Sequence, residues 1–161
     1  MQLQQRITAW LENTFLITQN DQITLNVSYV NATFNEFTYT DAWAGYQDYS
    51  DTVMPNAPKW SGTLGYTRYW IFSSGAQLSF EASSKLTQEY YVTFEKYRVD
   101  SLQPAYHKTD AYLTYNGADG KWRVSKWIKN IENEAVITYR SPSGLGLAEP
   151  RTYGVTFSTK F

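Results

Sequence analysis

Apolar and polar residues alternate with a period of two along most of these 161 residues, and no stretch keeps a helical period. That period puts successive side chains on opposite faces of an extended strand. In the closing segment Tyr153, Val155, Phe157 and Phe161 share one face, while Thr152, Gly154, Thr156, Ser158 and Lys160 share the other. Thr159 is the weak member of the apolar row. Residues 77–86 repeat the pattern, with Leu78, Phe80, Ala82 and Leu86 opposite Gln77, Ser79, Glu81, Ser83 and Lys85. Between 109 and 115, Ala111, Leu113 and Tyr115 oppose Asp110, Tyr112 and Thr114. Further strands are expected near 7–17, 23–37, 60–72 and 122–131, giving about seven.

The connections between them alternate in length. Thr18-Gln19-Asn20-Asp21, Ser73-Ser74-Gly75 and Asn116-Gly117-Ala118-Asp119-Gly120 are short, and the last two carry the glycines that tight hairpins need. Long polar and aromatic loops lie near 38–58, 94–105 and 132–150. Short turns at one end and long loops at the other characterise an antiparallel meander through a membrane. Aromatic residues are 17% of the chain, yet its mean hydropathy is −0.50. Such a mixture suits strands with one apolar and one wet face. The longest apolar runs, such as Tyr69-Trp70-Ile71-Phe72, fall well short of the roughly 18 residues of a spanning helix. The start, Met1-Gln2-Leu3-Gln4-Gln5-Arg6, lacks the basic and apolar regions of a signal peptide.

The expected fold is therefore all-β, an up-and-down meander of about seven strands. Single-chain bacterial barrels have an even number of strands, from about 8 upward, and must close. The expectation is that 1–161 is the C-terminal part of a larger transmembrane β-barrel. An eighth strand hidden in a loop, or closure by oligomerisation, are the other solutions.

Charge and composition exclude several functions. With 14 Lys+Arg against 15 Asp+Glu the formal net charge is −1, which does not point to nucleic acid. The absence of Cys removes disulfides, thiolate metal sites and cysteine nucleophiles, and one His rules out a multi-histidine metal site. Glu81, Glu89 and Glu95 are candidate glycosidase carboxylates only in type. His107 lacks a Gly-x-Ser-x-Gly partner. The glycosylation patterns at Asn26 and Asn31 fall within strands. No phosphate-binding glycine loop occurs. The chain is read as non-enzymatic, with no cofactor and no metal.

Several segments resemble one family. Met54-Pro55-Asn56-Ala57-Pro58-Lys59-Trp60-Ser61 is similar to the strand entry of TonB-dependent outer-membrane receptors. Lys121-Trp122-Arg123-Val124-Ser125-Lys126-Trp127-Ile128-Lys129-Asn130-Ile131 resembles that family's penultimate strand, and 149–161, ending in Phe, its closing strand. Val30-Asn31-Ala32-Thr33-Phe34-Asn35-Glu36-Phe37 fits the strand end before a long surface loop. The resemblance covers the whole chain but only the C-terminal portion of such a receptor, without plug domain or earlier strands. It implies energised uptake of a scarce ligand, such as a siderophore, across the outer membrane of a Gram-negative cell. It also implies as partners outer-membrane lipid, the barrel-assembly machinery, the remainder of the receptor and the TonB complex. Two alternatives stay open. One is a small stand-alone outer-membrane barrel with a structural or adhesive role, the other a soluble carbohydrate-binding β-sandwich.

Four groups of residues are candidates for function. Tyr153, Val155, Phe157 and Phe161 resemble an assembly signal read by strand addition. Trp43, Tyr46 and Tyr49 lie among acids in a long loop, either stacking on a ligand or belonging to an interfacial aromatic girdle. Tyr90, Tyr91, Phe94 and Tyr97 read as girdle. Glu81, Lys85, Lys108, Asp110 and Lys160 face inward and line either a ligand path or a water network. Lys126 conflicts with its row, sharing a face with Trp122, Val124 and Ile128 unless a bulge or Trp127 changes the register.

Overall fold

A computed structural model describes residues 3–42, 45–93, 101–141 and 143–160. Its strands are β1 (Leu3–Leu16), β2 (Asp21–Glu36), β3 (Thr38–Asp41), β4 (Gly45–Asp48), β5 (Trp60–Ile71), β6 (Gln77–Thr87), β7 (Tyr90–Tyr91), β8 (Leu102–Gln103), β9 (Tyr106–Asn116), β10 (Trp122–Lys129), β11 (Ile137–Ser141), β12 (Gly144–Leu147) and β13 (Thr152–Thr159). Seven of them form one antiparallel sheet in the order β1-β2-β5-β6-β9-β10-β13. Each wall strand pairs with its nearest wall neighbours in the chain, so the sheet is the expected meander. The other six make three two-stranded ribbons inside the long connections: β3-β4, β7-β8 and β11-β12.

Turn chemistry fixes one end of the wall. Gly75 and Gly120 take φ of 85° and 65°, which a residue with a Cβ adopts at a cost. The Phe72 amide donates to the Ala76 carbonyl at 2.9 Å, so Phe72 closes the turn and does not extend β5. β10 stops at Lys129 because Asn130 adopts φ of 55°. β9 begins at Tyr106, since Tyr106, His107 and Lys108 pair with Thr87, Leu86 and Lys85.

Register determines the faces. One row across the wall is Leu11, Val27, Gly62, Leu86 and His107. A second is Phe15, Ile23, Tyr66, Ala82, Ala111, Ile128 and Tyr153. Their face is apolar and uncovered: Trp60 is 53% exposed, Leu64 50%, Val155 62% and Phe157 65%. The opposite face carries Asn26, Thr63, Lys85, Glu81, Lys108, Asp110, Ser125 and Thr156. A soluble sandwich would need a second sheet over the apolar face, and none of the described strands supplies it. Lys126 lies on the apolar face, paired with Leu113 and Val155, and β10 runs without a bulge. Trp127 points the other way and donates from Nε1 to Thr156 Oγ1 at 3.2 Å.

Aromatic rings mark both borders of the apolar band. Trp60 packs on Tyr29 at 4.8 Å near the long loops, while Tyr115 packs on Trp122 at 5.4 Å and on Phe72 at 6.3 Å near the turns. Trp60 and Trp70 lie on this same face of β5, ten residues apart. At about 3.3 Å per residue that is about 33 Å along the strand. A tilt of about 40° projects it to roughly 25 Å, the height of a barrel's apolar band. Within the band the Asp21 charge is paired, its Oδ1 accepting from Arg68 at 2.8 Å and from the Tyr66 hydroxyl at 2.6 Å.

Candidate ligand cleft at the long-loop end

The sequence places two lysines in alternating strands at positions that come directly opposite each other. Lys85 of β6 pairs with Lys108 of β9, and Thr63 of β5 continues the row. Two residues deeper on the same face, Asp110 pairs with Ser83. Lys129, the last residue of β10, joins them. Together they border a cleft of about 490 Å³, walled by Tyr90 and Tyr106 and by Val136, Thr138 and Glu149 of the last long loop. Like charges directly opposite on neighbouring strands are unfavourable. Among the described residues none of these three lysines forms an ion pair. The Asp110 carboxylate is engaged, its Oδ1 accepting from the Asn130 amide at 2.9 Å.

The second and third long connections border the cleft, and polar side chains hold them. Asn130 is 1% exposed; its Nδ2 donates to the Glu134 and Glu149 carbonyls at 3.0 and 3.1 Å, and its Oδ1 accepts from the Glu134 amide. It thus pins both ends of the 130–151 connection. Gln103, also 1% exposed, accepts at Oε1 from the Ile137 amide and joins the second connection to the third. The Asn56 amide donates to the Tyr91 carbonyl at 2.7 Å, joining the first to the second. Glu132 accepts the Thr109 amide at 2.7 Å and lies 3.6 Å from His107 Nε2. Removal from water pushes the Glu132 carboxyl up, but its hydrogen bonds to Thr109, with the His107 charge, hold it below its ordinary range. Burial raises the Tyr90 hydroxyl to about 12, with the neighbouring Tyr106 hydroxyl adding to the effect. Tyr90 is therefore a hydrogen-bond donor throughout the physiological range.

Of the predicted inward residues, Lys85, Lys108 and Asp110 come together here. Glu81 lies deeper on the same face, and Lys160 sits at the opposite, short-turn end, where its amide donates to the Lys121 carbonyl. Trp43 falls outside the described residues. Tyr46 is 68% exposed on β4, whereas Tyr49 is 5% exposed, its ring 5.6 Å from Phe37. Tyr49 therefore builds the interior of its loop and is not presented to a ligand. The girdle reading of Tyr90 is corrected too: β7 pairs with β8 and turns Tyr90 into the cleft. Phe94 and Tyr97 lie outside the described residues. Tyr153, Val155 and Phe157 stand together on the uncovered apolar face, and Phe161 lies outside the described residues. Sequence reasoning missed Lys129, whose position two residues after Trp127 was the available signal. A larger depression, about 570 Å³, lies on the apolar face around Leu25, Val27, Trp60, Leu64 and Leu86. Its exposed lining is mostly apolar.

No family model matches this sequence, and no curated protein matches it. Solved structures do, two uptake and siderophore receptors among them. The ferric yersiniabactin uptake receptor FyuA from Yersinia pestis superimposes with a TM-score of 0.79 at 14% identity, over 99% of this chain and 24% of that one. The siderophore receptor PiuA from Acinetobacter baumannii gives 0.75 at 21% identity, over 97% and 22%. The chain spans about a quarter of the length of these structures, and it has the fold of that stretch of their barrel wall.

Proposed function

We propose that this chain is the C-terminal wall segment of a TonB-dependent outer-membrane receptor, taking part in energised uptake of a scarce ligand such as a siderophore. The observation that carries the reading is the two-faced wall. An uncovered apolar face, ringed by Trp60 and Trp70 at the spacing of a bilayer, backs a polar face that holds a cleft under the long loops. Lipid suits the first face, and a water-filled lumen suits the second. The solved structures of the same fold are named for siderophores and a ferric chelate, and that ligand class is the one carried over here. Tyr153, Val155, Phe157 and Phe161 serve in this reading as the signal for barrel assembly. Tyr46, with Trp43, belongs to the outer loop a ligand meets first. A plug and the earlier strands come from the rest of the receptor, and coupling to TonB runs through that part. The chain catalyses nothing.

The test is made in the intact gene product. Cells lacking the gene, grown under iron limitation, are supplied with radioactive ferric chelates and compared with complemented cells. The expectation is gene-dependent and energy-dependent uptake of at least one chelate, with the protein in the outer-membrane fraction. A protein recovered in the soluble fraction overturns the reading.

A further inference from the structure

The geometry points to a charge-selective cleft: Lys85, Lys108 and Lys129 make this receptor specific for anionic ferric chelates of the catecholate or carboxylate class over neutral ones. The inference rests on the uptake-receptor reading and deepens it by naming the ligand's chemistry. Its first support is the Lys85–Lys108 pair itself. A directly opposed cross-strand lysine pair lowers the stability of the wall, and departures of this kind concentrate where function needs them. Its second support is compensation. Among the described residues no carboxylate pairs with the three lysines, and the Asp110 carboxylate is held by the Asn130 amide. Three lysines against Asp110 and Glu149 leave the cleft lining a formal charge of +1. Its third support is shape. The volume of about 490 Å³ falls in the range of small-molecule sites, and the walls are tyrosines. Tyr90 and Tyr106 give the cleft aromatic lining suited to aryl groups, and their hydroxyls, hydrogen-bonded to each other, retain one donor for a chelate oxygen.

The competing occupant is an acidic side chain from the interior of the parent receptor, which would neutralise the same lysines. One experiment separates the two. Binding of a hexadentate ferric tris-catecholate, which is trianionic, and of a hexadentate ferric tris-hydroxamate, which is neutral, is measured by tryptophan quenching on the intact purified receptor. The proteins are wild type, the Lys85→Gln/Lys108→Gln double variant and the Lys85→Arg/Lys108→Arg double variant, each checked for heat-modifiable mobility. Wild type is expected to bind the anionic chelate at least tenfold more tightly than the neutral one, with affinity falling as salt rises. The glutamine variant loses at least tenfold for the anionic chelate and nothing for the neutral one, and the arginine variant restores the preference. Equal binding of the two chelates by wild type, without salt dependence, overturns the inference while the receptor reading stands. Binding of the anionic chelate that is unchanged in the glutamine variant also overturns it, since the lysines then answer an internal acid. If neither chelate binds and the gene supports no chelate uptake, both readings fall together.

Discussion

Lys126 carries a charge onto a face where its cross-strand neighbours are Leu113 and Val155. It lies four residues beyond Trp122, one of the rings that mark the short-turn border. That is about 13 Å along the strand, or about 10 Å of depth at the usual tilt, close to the middle of the apolar band. A lysine at that depth costs about 2–4 kcal/mol, less whatever its flexible stem recovers by reaching towards the border. Lys126→Leu in the intact barrel is therefore expected to stabilise it by up to that amount, read as a higher urea midpoint in lipid vesicles. An unchanged or lower midpoint would mean that the ammonium has a partner. A second pair of variants tests the same face. Phe157→Asp puts a charge among acyl chains and should cut outer-membrane yield several-fold, while Thr156→Asp, facing the lumen, should leave it within about twofold. The opposite result would invert the faces. Parity was legible for most strands because one face is consistently apolar. For β10 it was not, since Trp122 and Trp127 have opposite parity and each is compatible with an apolar row. Pairing with two neighbouring strands decides it.

At the scale of elements the wall and the loops differ in what encodes them. The seven wall strands follow from alternation, which reports burial on one side directly. The ribbons within the loops, and the cleft that two of them border, were not legible, because they depend on polar side chains that look like ordinary loop residues. Asn130 and Gln103, both buried, bond backbone groups of the loops, and the half-buried Glu132 accepts the Thr109 amide. Asn130→Ala removes the side-chain partner of the Glu134 amide and the Glu149 carbonyl, at about 0.5–1.5 kcal/mol per hydrogen bond. It should free the 130–151 connection, raising its hydrogen exchange at least tenfold while the wall stays protected. Glu132 gives the same clamp a pH dependence. Its folded value lies below the unfolded one, so its contribution is complete above the ordinary carboxylate range and is lost as pH falls through the lower folded value. The Thr109 amide should therefore keep its protection factor from neutrality down to about pH 5 and lose it progressively below about pH 4. Glu132→Gln should reproduce part of that loss at pH 7.

For the molecule as a whole the decisive features are the two outer edges of the wall. β1 and β13 each pair on one side only among the described strands. In an antiparallel strand alternate residues direct both N–H and C=O to the same neighbour, so half of the 14 residues of β1 present these groups outward. In hydrocarbon each unsatisfied group costs several kcal/mol, a sum far beyond any single domain's stability. A seven-stranded wall therefore cannot rest in a bilayer with both edges open. On the proposed reading, further strands between β13 and β1 cover both edges. Targeted to the outer membrane alone, the chain should give no heat-modifiable monomer and should be degraded. If the proposed receptor reading holds, supplying its other strands as a separate polypeptide should restore a protease-resistant barrel containing both pieces. Recovery of a stable, heat-modifiable monomer from 161 residues alone would mean that the edges close on each other, and the stand-alone barrel would replace the receptor segment.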